Sequence, residues 1–152
     1  MITRTDASHP DFMELVRQLD AELTERDGPE HSFYAQFNKT NTIKYVVLYY
    51  EDGKAVSCGA IRELEEGIME VKRMFTLPEY RGRGIAAKVL AELEQWAAEL
   101  SSHTCRLETG KKQPEAIRLY EKNGYLVISN YGQYQGVFNS ICFEKKLFIR
   151  ET

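Results

Sequence analysis

The chain has 152 residues, of which 43% are hydrophobic and 28% are charged, and its 20 basic and 23 acidic residues give a formal charge of −3. This length and composition predict one folded domain over residues 1–152 and exclude a disordered tail, a collagen-like repeat and a disulfide scaffold. The small net charge predicts no overall attraction to nucleic acid or to anionic membranes.

The amino-terminal part of the chain is predicted to form a strand and an amphipathic helix. A short strand over residues 1–5 comes first, and Ser8 precedes Pro10 in an arrangement typical of a helix start. The apolar residues that follow keep helical spacing and predict one buried stripe: Phe12, Leu15, Val16, Leu19 and Leu23. The next segment, residues 27–39, is aromatic and polar, and we interpret it as a short helix with a loop.

Three strands are predicted next, over residues 43–50, 55–63 and 68–77. The first two are separated by Asp52-Gly53, a hairpin signal, because glycine accepts the positive φ that such a turn requires. The third strand alternates the apolar residues Met69, Val71, Phe75 and Leu77, and Arg73 interrupts this apolar face.

The remaining elements alternate helices with strands. A helix over residues 85–100, a strand over 104–109, a helix over 114–123 and strands over 125–128 and 140–147 are predicted. Pro114 near a helix start and Gly124 just past its end follow the usual asymmetry of helix termini. The order β-α-(α)-β-β-β-α-β-α-β-β predicts an α/β or α+β fold with a mixed sheet and helices on its faces, in three layers.

Membrane segments, a signal peptide and metal sites are not expected. The longest apolar run, Tyr45 to Tyr50, is too short for a bilayer, which needs about 20 residues. The amino terminus lacks the pattern of a signal peptide, and none of the three histidines, His9, His31 and His103, has a partner at a metal-ligand spacing. Cys58, Cys105 and Cys142 are odd in number and lie in apolar segments, so we expect buried thiols and a cytoplasmic protein.

The segment Arg81-Gly82-Arg83-Gly84, between a strand and a helix, predicts an anion-binding turn. The first N–H groups of a helix lack intrahelical partners, and glycines let a phosphate approach the backbone. The alternative is a solvated turn that only begins a helix. A P-loop is excluded by its missing motif. Gly82-x-Gly84-x-x-Ala87 fits a loose dinucleotide fingerprint with Glu108 downstream, but too few βα units follow for a doubly wound domain.

Residues 81–86, Arg81-Gly82-Arg83-Gly84-Ile85-Ala86, resemble the Arg/Gln-x-x-Gly-x-Gly/Ala motif of the GCN5-related N-acetyltransferase (GNAT) superfamily. The resemblance extends over residues 70–80, 107–110 and 116–125 and covers most of the chain from about residue 42 to residue 147. It implies a GNAT-like fold with a central mixed, mostly antiparallel sheet of about six to seven strands, flanked by about four helices. It also implies acetyl-CoA as the acyl donor.

The resemblance assigns cofactor-binding positions residue by residue. Residues 82–86 match the backbone cradle of the acyl-CoA pyrophosphate, with Arg81 at its first position. The strand residues Met74, Phe75 and Thr76 match the segment whose main chain binds the pantetheine arm. Gln113 stands where many members carry an asparagine. The cofactor-binding set is therefore Met74, Phe75, Thr76, Arg81, Gly82, Arg83, Gly84, Ile85, Ala86 and Gln113.

Two catalytic residues are implied by the same resemblance. Glu70 matches the position of a general base, and a base is needed because an alkylamine with a pKa near ~10 is protonated at neutral pH. Tyr120 matches a tyrosine that protonates the departing thiolate. The alternatives are a strand ion pair of Glu70 with Lys72 or Arg73, and a core aromatic role for Tyr120.

The acceptor site is expected in irregular segments. Their aromatic residues Tyr34, Phe37, Tyr131 and Tyr134 are candidate walls of an amine pocket, and the alternative is that they cover the core or form a dimer contact. Arg73 is a candidate substrate contact or a structural ion pair. The terminal strands offer an edge that a second copy of the chain can pair with, so a homodimer is an alternative to a monomer, and the sequence leaves both open.

The expected function is transfer of an acetyl group from acetyl-CoA to a primary amine of a small molecule or amino acid, by direct transfer in a ternary complex. The alternatives are a protein or peptide N-acetyltransferase and a non-catalytic acyl-CoA-binding regulatory module. The basic residues between positions 72 and 88 predict a local patch for a phosphorylated cofactor rather than for nucleic acid: Lys72, Arg73, Arg81, Arg83 and Lys88.

Overall fold

The computed structural model describes residues 1–28 and 43–147. The described chain contains strands and helices in the predicted alternation. They are β1 (Ile2–Thr5), α1 (Pro10–Asp27), β2 (Tyr45–Glu51), β3 (Lys54–Glu65), β4 (Ile68–Thr76), α2 (Ile85–Glu99), β5 (Thr104–Gly110), α3 (Pro114–Lys122), β6 (Leu126–Ile128) and β7 (Ser140–Lys146). Single 3₁₀ turns lie at Pro78–Tyr80 and Gly132–Tyr134.

The seven strands form one mixed sheet in the order β1-β2-β3-β4-β5-β7-β6. Strands β4 and β5 are parallel, whereas β1–β2, β2–β3, β5–β7 and β6–β7 are antiparallel. The predicted α/β fold with a mixed, mostly antiparallel sheet is confirmed. Three α-helices lie in the described part of the chain, and the helix predicted within residues 27–39 falls mainly outside it.

The predicted hairpin between β2 and β3 is confirmed by its backbone. Asp52 and Gly53 have φ angles of 51° and 78°, and Glu51 pairs directly with Lys54 across the two-residue loop. Two consecutive positive φ angles match the right-handed twist of the flanking strands, which is why the Asp-Gly pair signals this turn.

Helix α1 begins at Pro10, within the segment in which the sequence predicts a helix start. The residue that caps it is His9, whose Nδ1 accepts from the Asp11 backbone N–H at 3.1 Å. The hydroxyl and the backbone N–H of Ser8 both donate to Asp6 Oδ1, at 2.5 and 2.9 Å. The Ser8 side chain is therefore committed to a local turn and does not cap the helix.

The predicted apolar stripe of α1 is confirmed and contributes to a hydrophobic core. Phe12, Leu15, Val16 and Leu19 are buried, and Leu23 packs against them partly exposed. They join side chains of β2, β3, β4, the residue that follows β4 and the first turn of α2: Val46, Leu48, Val56, Cys58, Ala60, Phe75, Leu77 and Ile85. Burial of each large apolar side chain contributes about 1.5–3 kcal/mol, so this core holds α1 and the start of α2 on the sheet.

Contacts divide the chain into two compact units. The first comprises residues 1–62 and 71–93, and the second comprises residues 63–70 and 94–152. The organisation as a single domain stays a prediction. The three cysteines are free and buried, as expected. In the part of the chain that the structure describes, no helix is long and apolar enough to cross a membrane.

Candidate active site

The glycine turn, residues 81–84, leads directly into α2. Gly82 and Gly84 have φ angles of 78° and 79°, a region that side chains with a Cβ rarely adopt. A Cβ built at either glycine meets no atom within 4 Å among the described residues. The backbone conformation therefore requires glycine at both positions. Among the described residues, no atom fills the space that a side chain at either position would enter. The first helical hydrogen bond runs from the Lys88 N–H to the Gly84 carbonyl at 3.2 Å.

Arg81 is held in place by three residues of the first unit. Its Nε donates to the Thr76 carbonyl at 2.8 Å, and its two terminal nitrogens donate to the two carboxylate oxygens of Glu22 at 3.1 and 3.2 Å. Its guanidinium also lies 5.5 Å from the ring centre of Phe75. A bidentate pair of this kind fixes geometry as well as charge, so Arg81 ties the glycine turn to α1 and to the end of β4.

Arg83 is the more exposed cation of the turn. Its side chain is 57% exposed and pairs with Glu51 at 3.6 Å, while its Nη2 donates to the Glu79 carbonyl at 3.3 Å. Exposed ion pairs contribute little, typically about 0–1 kcal/mol, so Glu51 holds Arg83 only weakly.

The predicted basic patch is thus partly neutralised by carboxylates that lie elsewhere in the sequence: Asp20, Glu22 and Glu51.

The segment Met74–Thr76 at the end of β4 is anchored on one side by β3. The Ser57 hydroxyl donates to the Phe75 carbonyl at 3.0 Å and lies 2.8 Å from the Thr76 hydroxyl. Gly59 of β3 faces the Met74 side chain so closely that a Cβ there would overlap its sulfur. Glycine at position 59 therefore lets Met74 pack on the sheet.

Arg73 makes the structural ion pair that was one of its two predicted roles. Its side chain is 1% exposed and donates to Asp20 of α1 at 2.6 Å. Its backbone has a φ of 60°, which costs a residue other than glycine about 1–3 kcal/mol. This strained residue interrupts the apolar alternation of β4, in which Met69, Val71 and Phe75 are all buried as predicted.

In the second unit, Glu70 is a buried carboxylate bound by a tyrosine. Glu70 is 1% exposed, and Tyr131 donates its hydroxyl to Glu70 Oε2 at 2.5 Å. Burial, followed by the nearby charge of Glu70, raises the pKa of the Tyr131 phenol well above its ordinary value, so the phenol keeps its proton at neutral pH. Tyr134 is buried, and its ring meets the Tyr131 ring edge-on at 5.7 Å.

Tyr120 lies on α3 in an aromatic cluster. Its ring centre is 5.7 Å from that of Tyr125 and 6.0 Å from that of Phe143. Burial raises the pKa of the Tyr120 phenol well above its ordinary value, and the negative charge of Glu108 adds to this effect. Tyr120 therefore keeps its proton at neutral pH. Both predicted roles, core aromatic and proton donor, are compatible with this environment.

Gln113 occupies the position that precedes α3. Its N–H donates to the Gly110 carbonyl at 3.0 Å, and its carbonyl accepts from the Ile117 N–H at 3.1 Å. The backbone of Gln113 thus closes the loop between β5 and α3. The remaining acceptor candidates, Tyr34 and Phe37, lie outside the described residues.

Two partnerships in these groups were not predicted from the sequence. Tyr131 donates to Glu70, 61 positions away, and its predicted place in the wall of an acceptor pocket stays a prediction. Asp20 and Glu22 of α1 were not singled out from the sequence, and they bind Arg73 and Arg81. No local spacing signals either partnership, because each joins segments far apart in the chain.

A family model and a curated relative place the chain in the same family. Residues 12–125 match the model of the acetyltransferase (GNAT) family. The chain is 32% identical over 149 residues to an IAA acetyltransferase of Azospirillum brasilense, which covers 96% of this chain and 97% of that protein.

Two solved structures share the architecture. A Klebsiella pneumoniae structure described as a putative acyl-CoA N-acyltransferase has a TM-score of 0.81 and 34% identity, covering 97% of both chains. An aminoglycoside 6'-N-acetyltransferase complexed with coenzyme A has a TM-score of 0.72 and 16% identity, covering 100% of this chain and 99% of that chain. The second likeness shows a shared fold.

Proposed function

Since the chain belongs to the acetyltransferase (GNAT) family and is an acetyl-CoA-dependent N-acetyltransferase, we propose that it acetylates a primary amine of a small molecule by direct transfer in a ternary complex. The observation that carries this proposal is the glycine turn, whose two glycines adopt positive φ angles with open space above them at the start of α2. A turn of this form presents backbone N–H groups to a phosphate.

The residues of the turn would hold the pyrophosphate of acetyl-CoA. In this proposal the backbone of residues 82–86 donates to phosphate oxygens, and Arg83 exchanges its exposed pair with Glu51 for a phosphate. Arg81 keeps its bonds to Glu22 and to the Thr76 carbonyl, and so it holds the turn. Met74, Phe75, Thr76 and Gln113 would contact the pantetheine arm. Acetyl-CoA supplies the acetyl group as an activated thioester.

Glu70 is proposed to take the proton that the acceptor amine must lose. An alkylamine with a pKa near ~10 is almost fully protonated at neutral pH and is then not a nucleophile. A carboxylate can accept that proton directly or through one hydrogen-bonded group. The burial of Glu70 supports this role, because burying a carboxylate is costly and buried titratable groups cluster at sites where they do chemistry or hold a charged partner.

Tyr120 is proposed to return a proton to the departing thiolate. A general acid must be protonated before the reaction, and the raised pKa of the Tyr120 phenol ensures that it is. Direct transfer needs no protein nucleophile. This agrees with the three cysteines, whose thiols are buried and have pKa values raised mainly by that burial, to about 12 for Cys58 and Cys105 and about 11 for Cys142.

A small-molecule acceptor is supported by the relatives. One similar protein is an IAA acetyltransferase, and a protein of the same fold is an aminoglycoside 6'-N-acetyltransferase. In this chain, Tyr131 and Tyr134 are proposed to contribute to the acceptor side, with Tyr34 and Phe37. We also propose a cytoplasmic location, since free buried thiols fit a reducing compartment, and the homodimer stays a prediction.

The function is tested by two measurements. Calorimetry with acetyl-CoA is expected to show one site per chain, and the absence of binding would overturn the assignment of the glycine turn. A screen that detects released coenzyme A is then run over free amino acids, polyamines, aminoglycosides, arylalkylamines and lysine-containing peptides. Turnover with small amines supports the proposal. Turnover with peptides alone indicates a protein acetyltransferase, and binding without any turnover indicates a regulatory module.

A further inference from the structure

Glu70 is buried so completely that direct contact between its carboxylate and the acceptor amine is hindered. The carboxylate has 1% of its residue surface exposed, and it lies on β4 directly opposite Arg106 of β5 in the parallel register. A protonated amine carries its own hydration shell and cannot enter such a position without losing it. A hydrogen-bonded group that reaches from Glu70 toward solvent would remove this difficulty.

Tyr131 is such a group. Its hydroxyl donates to Glu70 Oε2 at 2.5 Å, which is at the short end of the range for a charge-assisted O–H to carboxylate bond. Unlike Glu70, Tyr131 is only partly buried. Its ring is held in place by the edge of the Tyr134 ring and by Arg106, whose guanidinium lies 5.9 Å from the ring centre.

We propose that the Tyr131 hydroxyl relays the proton of the acceptor ammonium to Glu70, an inference that rests on the proposed function. The ammonium N–H bond breaks as its proton passes to the phenol oxygen, and the phenol O–H bond breaks as its proton passes to Glu70 Oε2. The amine is left neutral with its lone pair, Tyr131 remains a neutral phenol, and Glu70 becomes a neutral carboxylic acid. After product release Glu70 loses the proton to solvent by the reverse path.

The surroundings of the pair favour uptake of a proton from a cation. Arg106 is a nearby positive group in the described part of the chain, and it is bound to Glu144 at 3.3 Å, so its charge is compensated. Besides Glu70, the groups that act on the Tyr131 phenol include the Cys142 thiol and the Tyr134 phenol, and the carboxylates of Glu108 and Glu70 act on Cys142. A phenol with a raised pKa does not release its proton permanently, which is what a relay between two other groups requires.

The chain contains a second tyrosine–glutamate bond that lies outside the proposed proton path, and its hydroxyl can be removed while phenylalanine keeps the ring contact with Tyr120. Tyr125 is buried and donates its hydroxyl to Glu94 Oε2 at 3.0 Å. If a tyrosine–glutamate bond in this unit served only to stabilise the fold, Tyr125→Phe and Tyr131→Phe would affect activity in the same way. Tyr125→Phe is therefore the control variant.

The test measures kcat/KM from pH 6.5 to 10 with the alkylamine that turns over fastest in the amine screen. At pH 7, Tyr131→Phe and Glu70→Gln are each expected to lower kcat/KM by at least ~100-fold, the scale of general base catalysis. The double variant is expected to be no slower than the slower single variant, because both residues serve one path. Tyr125→Phe is expected to stay within about threefold of the original chain.

The pH dependence separates a relay from a structural role. Variants without the relay use only neutral amine, whose fraction rises about tenfold per pH unit up to the amine pKa near ~10. The defects of Tyr131→Phe and Glu70→Gln should therefore shrink as the pH rises. A Tyr131→Phe chain that retains kcat/KM within threefold at pH 7, a defect that is constant with pH, or additive losses in the double variant would each overturn the relay.

Failure of the proposed function is recognised separately. Calorimetry on the same variants is expected to show unchanged acetyl-CoA affinity, since neither residue belongs to the glycine turn. If the original chain binds no acetyl-CoA or turns over no amine, the proposed function fails. If it does both and Tyr131→Phe behaves like Tyr125→Phe, only the relay fails. Phenylalanine keeps the ring contacts, and thermal melting confirms that each variant is folded.

Discussion

The glycine turn and the Glu70–Tyr131 pair are built on opposite principles. As the proposed cofactor site, the turn would use backbone N–H groups whose direction is set by two glycines at positive φ, and its arginines already have carboxylate or carbonyl partners. The proposed proton path would use two side chains from distant segments, which are joined by one short hydrogen bond in a buried setting. In these proposals the turn tolerates changes of the side chains around it but not of its glycines, whereas the pair tolerates the loss of neither side chain.

The largest effect is expected at the glycine turn. Gly84→Asp should weaken acetyl-CoA binding at least ~1,000-fold, because a carboxylate is placed where phosphate oxygens are expected and a Cβ is forced into a positive φ. Isothermal calorimetry measures the affinity. Gly84→Ala separates strain from charge: we expect it to weaken binding by about tenfold or less, and equal effects of the two variants would contradict the electrostatic reason.

The second-largest effect is expected at Glu70, in the Glu70–Tyr131 pair. Glu70→Gln preserves size and removes the charge, and we expect kcat to fall ~100–10,000-fold while the affinity for acetyl-CoA is unchanged. Steady-state kinetics and calorimetry give the two quantities. Glu66→Gln, at an exposed position before the same strand, serves as the control. A Glu70→Gln chain with normal kcat would remove Glu70 from the mechanism.

A smaller effect is expected for the proposed acid. Tyr120→Phe keeps the aromatic cluster with Tyr125 and Phe143 but removes the proton, so kcat should fall about 10–100-fold with little change in KM or in melting temperature. Tyr50→Phe, which removes a hydroxyl that donates to Asp11, is the matched control. Unchanged turnover in Tyr120→Phe would leave the tyrosine with a packing role alone.

The smallest effect is expected for the side chains that hold the turn. Glu22→Gln weakens the bidentate pair with Arg81, yet the glycines and the Thr76 carbonyl still define the backbone path. We expect the acetyl-CoA affinity to change less than threefold and the free energy of unfolding to fall by about 1 kcal/mol or less. Urea denaturation and calorimetry measure both. A large loss of affinity would show that the turn depends on side chains after all.

Local features of the sequence predicted most of the secondary structure and the position of the glycine turn. The hairpin at Asp52-Gly53, the buried stripe of α1 and the glycine turn before α2 all depend on residues within a few positions of one another. These three structures were confirmed because the physical cause of each, a positive φ or a helical repeat, is itself local. The capping residue of α1 was not predicted: Asp6 accepts from the Ser8 hydroxyl, and His9 caps the helix.

The partners of the charged and phenolic side chains were decided only by the tertiary structure. From the sequence, Arg73 and Arg81 belonged to a basic patch and Tyr131 to an aromatic pocket wall. The fold pairs the two arginines with Asp20 and Glu22, and Tyr131 with Glu70, and none of these partners was predicted. Hydrogen bonds and ion pairs depend on ångström-scale distances between segments that are tens of residues apart, and only the packing of the sheet and its helices sets those distances.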